Sequence, residues 1–168
     1  MHLIAFTIRR LIVNTQREEL LCLLRDAYMC GQGAAQLLAE FLEHHPDSAQ
    51  ISAVIEAFLA KTLEHQRLLA ECLARIEEKT EVPQPKTNDV SRVPSPEERS
   101  TGDVPRDLTH LRARMLQEIT LYSSVIATAE ASGLFETRFV CEGVQSDKSS
   151  MAAWLEVCTS SNEEPRPA

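Results

Sequence analysis

Apolar residues recur at helical spacing along four stretches of this chain. In the first, Leu20, Leu21, Leu24, Ala27, Tyr28, Ala34, Ala35, Leu38 and Phe41 keep helical spacing, the period of one helix face. Thr15 followed by Glu18 has the form of a capping box. The spacing therefore predicts a first helix from about Thr15 to His45, where Pro46 ends it. Asp47 or Ser48 can cap a second helix, whose stripe runs through Ile51, Ile55, Phe58, Leu69, Cys72 and Ile76 to about Lys79. At 1.5 Å per residue, each of these helices is about 40–50 Å long. Their short connection makes them an antiparallel hairpin. A third stripe, from about Arg106 to Ser132, carries Leu108, Leu111, Met115, Ile119 and Tyr122, and Gly133 is a natural stop. The fourth, from about Phe135 to Val157, is interrupted by Gly143 and the polar run QSDKSS.

Between the second and third stripes the pattern disappears. Residues 80–105 are rich in Pro, Ser, Thr and charge, with almost no large apolar residue, so they cannot form a core and are expected to be disordered. Fully extended, such a crossover reaches about 80 Å, enough to return along the second helix and start the third parallel to it. The expected fold is all-α: a four-helix bundle over residues 15–157, two hairpins joined by a long crossover, as in ferritin-like bundles. Residues 158–168 are expected to be a disordered tail.

Residues 1–14 form a separate apolar segment, with Leu3, Ile4, Phe6, Ile8, Leu11, Ile12 and Val13. Arg9 and Arg10 lie inside it and no small-residue cleavage site follows, so it does not read as a secretory signal. It is too short to span a bilayer. Its apolar side chains have three uses: packing on the domain, binding a partner or a second copy, or lying on a membrane surface, for which two arginines make a thin basic face. Gly31 and Gly33 fall inside the first helix and each costs about 1 kcal/mol relative to alanine. Such a pair calls for a close helix contact or a local break.

Composition narrows the function. The chain is 43% hydrophobic and 25% charged, ordinary for a globular domain. A formal net charge of −8 opposes general affinity for nucleic-acid phosphates. The five cysteines show no CxxC pair or zinc spacing. As small hydrophobes on helix faces they imply a reducing, cytoplasmic setting. There is no Gly-rich phosphate loop, no HExxH and no Ser-His-Asp order, which points away from an enzyme.

NTQREELLCLLRDAY at residues 14–28, with Leu24, Asp26 and Tyr28, resembles the first helix of the YciE/YciF stress-response family of ferritin-like proteins. FLAKT at 58–62 is similar to its second-helix motif. EITLYSSVIATAEASG at 118–133 resembles its third helix, and CEGVQSDKSSMAAWL at 141–155 its fourth, through Glu142, Asp147 and Lys148. The resemblance implies a bundle, often dimeric, with inward carboxylates and a histidine suited to paired iron or manganese.

Most of those positions are altered. The first-helix glutamate falls on Gly31, the second-helix acids on Ala60 and Lys61, and the first acid of the third-helix motif on Met115. Glu118, Glu142 and His65 remain as candidate metal ligands, with Asp147 a further acid. Without a metal, Glu118 and Glu142 are expected to be neutralised by Lys61 or Arg114, and His65 to sit at the bundle edge. His44 and His45 are expected as polar caps. The function implied is association with protein, as a homo-oligomer or with another partner, without a cofactor. The alternative is an iron or manganese protein with a reduced site; both carry a stress-related role from the resemblance.

Overall fold

The computed structural model describes the backbone of residues 2–78 and 103–161 and the side chains of residues 15–78 and 103–160. Its elements are α1 (His2–His44), α2 (Ala49–Glu78), α3 (Val104–Ala131) and α4 (Phe135–Ser161). Residues 79–102, most of the expected crossover, and the end of the tail lie outside the described residues.

α1 does not begin at Thr15. It runs unbroken from His2, because residues 2–14 contain neither proline nor glycine. Threonine with glutamate three positions later is compatible with a helix interior when nothing upstream breaks the hydrogen-bond ladder. α1 thus extends 18 residues, roughly 27 Å, ahead of Leu20, the first buried hydrophobe among its described side chains. The remaining elements follow the sequence closely. α3 starts two residues early, with Pro105 in its first turn, and α4 continues through Ser161, so the expected tail is helical at its beginning.

The α3–α4 turn shows why Gly133 is where it is. Its φ is +69°, a left-handed conformation costly for a residue with a Cβ. Gly133 N–H donates to Glu130 C=O (3.0 Å) and Leu134 N–H to Ala129 C=O (2.9 Å), tying off the last carbonyls of α3. At the other end, His44 Nδ1 donates to Glu40 C=O at 2.7 Å, as a cap does. His45 is not a solvated cap. It is buried, 2.9 Å from Asp107 Oδ2 of α3 and with its ring centroid 4.5 Å from that of Phe41, so it joins the α1–α2 turn to the start of α3.

Two apolar clusters fill the bundle. One gathers Leu20, Leu24, Leu69, Ile76, Tyr122, Ala129, Cys141 and Val144. The other gathers Leu38, Phe41, Ile55, Leu108, Met115, Met151 and Leu155. Their membership gives the helix directions. α1 runs from the first cluster to the second, α2 from the second to the first, α3 again from the second to the first, and α4 back. α2 and α3 are therefore parallel, so the connection between them must return along the length of the bundle, as the long polar segment allows. α1 packs on α2 and α3, and α3 packs extensively on α4, whereas α2 and α4 pack only sparsely.

Candidate functional site: a polar layer at the bundle centre

Between the two apolar clusters each helix contributes something other than a hydrophobe. α1 contributes Gly31, lying between the buried Ala27 and Ala34. α2 contributes Thr62, His65 and Gln66, α3 Glu118, and α4 Asp147 and Lys148. Glu118 is 1% exposed and Lys148 0%. Each sits in its helix's core stripe: Lys148 between Val144 and Met151, Glu118 between Met115 and Tyr122.

Lys148 Nζ lies 3.1 Å from Glu118 Oε2 and donates to Thr62 Oγ1 at 3.3 Å. One ammonium thus ties α4 to α3 and α2. A buried ammonium and a buried carboxylate each carry a desolvation cost of several kcal/mol, which only close pairing offsets. Burial pushes the Glu118 carboxyl above its ordinary value, while the Lys148 charge, and Arg114 more weakly, pull it back. Burial also pushes the neighbouring Tyr122 phenol up.

His65 occupies the outer side of the layer but is itself 2% exposed, so it is not an edge residue. Its Nε2 donates to Asp147 Oδ2 at 3.0 Å, which leaves Nδ1 with the lone pair. Lys61 closes the seam from outside, 3.4 Å from Asp147 and 3.2 Å from Glu64. The sparse α2–α4 packing is therefore bridged by polar groups here, supplemented by the edge-on contact of Phe58 with Trp154 at 5.4 Å.

Gly31 has its reason in this layer. A Cβ there would collide with Gln66 Nε2, so the missing side chain makes room for the amide to reach across from α2. Gly33 does the same for Arg114, whose Nη2 stands 2.6 Å from the ideal Cβ position. Arg114 Nη2 donates to Cys30 C=O at 3.1 Å, binding α3 to α1.

The candidate ligands named from the sequence do not form one cluster. Glu118 pairs with Lys148, His65 with Asp147, and Glu142 with Arg138 one turn away at 2.8 Å. Among the described residues, no group of three His, Cys, Asp or Glu side chains is placed to hold a metal ion. The counter-charges also differ from those expected. Glu118 is paired by Lys148 rather than by Lys61 or Arg114, and Glu142 by Arg138. The signal for Lys148 was available: positions 144, 148, 151 and 155 make one helical stripe, with a lysine in it. Of the cysteines, Cys72 and Cys141 are buried and Cys22 is exposed, and none of the five is in a disulfide. Burial raises the Cys141 thiol to about 12, which makes it inert at neutral pH.

The layer carries a pH dependence. Burial, then the nearby lysine charges, hold His65 below its ordinary 6.5 against the pull of Asp147. A lowered value means the folded chain keeps His65 neutral while the unfolded chain takes up the proton. Its contribution is present above 6.5 and is lost as pH falls through the depressed value. Asp147 acts in the same sense further down. Partial burial raises it, but the His65 hydrogen bond and Lys61 prevail and hold it below 3.8, so its stabilisation is lost as pH falls through that depressed value. Glu118, raised above 4.5, has the opposite sign: its contribution is present below 4.5 and is lost as pH rises through the raised value. In urea titrations between about pH 7 and 5, His65→Gln is expected to be less sensitive to acid than the wild type. An unchanged slope would show that His65 is not titrating out of a buried site.

The architecture and the connectivity define a ferritin-like four-helix bundle. The chain belongs to the family described as Domain of unknown function (DUF892), whose profile matches residues 15–164. Three solved structures show the same fold. A bacterioferritin of Desulfovibrio desulfuricans, described with a diiron site, superposes with a TM-score of 0.72 at 14% identity, covering 88% of this chain and 82% of that one. A protein of Xanthomonas campestris pv. campestris gives 0.69 at 21% identity, covering 87% and 92%. A ferritin-like diiron-carboxylate protein of Bacillus anthracis gives 0.65 at 15%, covering 86% and 97%. No curated protein sequence matches the chain significantly. At these identities the likeness concerns the fold.

Proposed function

We propose that this chain is a ferritin-like bundle of the YciE/YciF kind that works without a metal pair and acts by associating with protein, first of all with a second copy of itself. The observation that carries this reading is the Lys148 ammonium, fully buried against Glu118 in the central layer. The residues there do not fit a pair of divalent cations. Such a pair needs several carboxylates to bridge and neutralise it. The layer offers one buried carboxylate, already neutralised, and Met115 and Gly31 stand where the resemblance implies acids.

Association is supported by what the bundle leaves outside. Leu63, Phe135, Phe139 and Val157 are each more than half exposed, and the apolar sequence of residues 2–14 continues α1 as helix. Among the described residues no helix is long and apolar enough to cross a membrane. Cysteines without disulfides fit a reducing, cytoplasmic setting, and the acidic charge opposes nucleic-acid binding. The stress-related role rests on the family resemblance alone.

The test combines elemental analysis with sedimentation equilibrium, on untagged protein from cells grown with added iron and manganese. The expected result is far less than one metal per chain and a mass of twice the 18.8 kDa chain. Removal of residues 1–13 is expected to lower that mass without loss of helicity. One or two metals per chain would overturn the reading in favour of an iron or manganese carboxylate protein. A metal-free chain that stays monomeric at high concentration would sink the association half.

A further inference from the structure

Gly31 and Gly33 leave room for side chains inside the bundle, but Gly143 does not. A Cβ added at Gly143 would meet nothing within 4 Å, and glycine weakens a helix interior. Gly143 lies on the outside of α4, where its neighbours follow a pattern. Phe135, Phe139, Gly143, Ser146 and Ser150 are all exposed and lie four, four, three and four positions apart. The same spacing continues through Ala153 to Val157, which are also exposed. A repeat of threes and fours keeps one helix face toward a second helix. No position in this one is charged. Phe135, Phe139 and Val157 are three of the six large hydrophobics exposed among the described residues, while Met29, Leu63 and Leu116 fall one each on α1, α2 and α3.

We infer that this outer face of α4 is where a second copy of the chain docks, α4 against α4 in antiparallel pairing about Ser146. This rests on the reading that the chain associates with itself, and it names the face. Three properties fit a second copy. The stripe is self-complementary on reversal, as a two-fold interface requires: Phe135 meets Val157 of the second copy, Phe139 meets Ala153, and Gly143 meets Ser150. The small residues fall at the middle, where the two backbones approach most closely, which gives Gly143 its reason. The edges are complementary in charge. Arg138 stands eight positions before Ser146 and Glu156 ten after it, which puts both about 80° to the same side of the stripe. A two-fold axis across the pair brings like edges together, so Arg138 of one copy comes within about 3 Å of the level of Glu156 of the other. Glu136 lies about 80° to the opposite side and does not face Glu156. Glu142, closer to the stripe, is already paired with Arg138 at 2.8 Å. Glu156 is held by Arg112 at 3.1 Å and is 60% exposed, and the Arg138 guanidinium stands 5.5 Å from the Phe139 ring centroid. The two charges thus form a polar rim beside the apolar ends, as at protein interfaces generally.

The experiment is sedimentation equilibrium of the full chain and its variants, with helical circular dichroism as the check on folding. Wild type is expected at twice the 18.8 kDa of one chain. Ser146→Arg sets two like charges face to face at the two-fold axis. It is expected at the mass of one chain with unchanged helicity, since Ser146 is exposed. It leaves residues 1–13 in place, so its effect is read apart from theirs. Arg138→Glu and Glu156→Arg are each expected to weaken the dimer by about tenfold, and the two together to restore it. That recovery cannot come from within one chain, because the double variant still lacks the pairs with Glu142 and Arg112. A dimeric wild type beside a folded, equally dimeric Ser146→Arg would overturn the inference alone, as would a double variant no tighter than the single ones. A monomeric wild type would overturn the association reading and this inference with it.

Discussion

Glu118→Ala is expected to destabilise the fold by about 3–5 kcal/mol, because it leaves the Lys148 ammonium buried with only the Thr62 hydroxyl as partner. Lys148→Met is expected to cost a similar amount for the converse reason: a carboxylate at 1% exposure keeps its desolvation cost and loses its counter-charge. The double variant Glu118→Leu/Lys148→Met removes both charges at roughly constant volume. Replacing a buried pair with packed hydrophobes is often neutral or stabilising by about 1–4 kcal/mol. The double variant should therefore be far more stable than either single one. Urea titration at neutral pH reads all three, and unchanged m-values would show that the same surface is exposed on unfolding. Additive single effects would mean that the two groups do not interact in the native state.

The second large effect is expected at one end of the bundle. Phe41 is 1% exposed, packs among Leu38, Ile55 and Leu108, and lies against the His45 ring. Phe41→Ala should cost about 3–5 kcal/mol, the sum of lost transfer energy and the cavity left behind. It also uncovers the His45–Asp107 pair, which spans 2.9 Å with both side chains about 95% buried. Water reaching that pair weakens the tie between the α1–α2 turn and α3. Leu63→Ala is the control: at 55% exposure it should change stability by less than about 0.5 kcal/mol. A cost near zero for Phe41→Ala would show that this end of the bundle repacks freely.

Much of the architecture was legible because helical periodicity is a local property. The stripes through Ile55, Leu69 and Ile76, and through Leu108, Leu111 and Tyr122, mark α2 and α3, and Gly133 marks the turn after α3. The start of α1 was not legible. A Thr15–Glu18 pair looks the same at a helix end and in a helix interior, and the ladder upstream decides which applies. His45 read as a cap from its place before Pro46. It is buried because Asp107, 62 positions away, supplies a partner there.

The candidate site divides in the same way. That Glu118 and Lys148 lie in the apolar stripes of their helices could be read directly, since each is spaced three or four residues from core hydrophobes. So could the loss of the carboxylates implied by the resemblance at Gly31, Lys61 and Met115. Periodicity assigns a residue to a face, and so the amino-acid order alone established four amphipathic helices, two hairpins, and polar residues on inward faces. It says nothing about the height at which one helix meets another. Only the packed bundle sets those heights, by interlocking the two apolar clusters across all four helices. That interlocking brings Glu118, Lys148 and Thr62 to one level and fills the gap at Gly31 with Gln66. Contacts between residues 86 positions apart, such as Lys148 with Thr62, depend on this register, which no short stretch of sequence encodes.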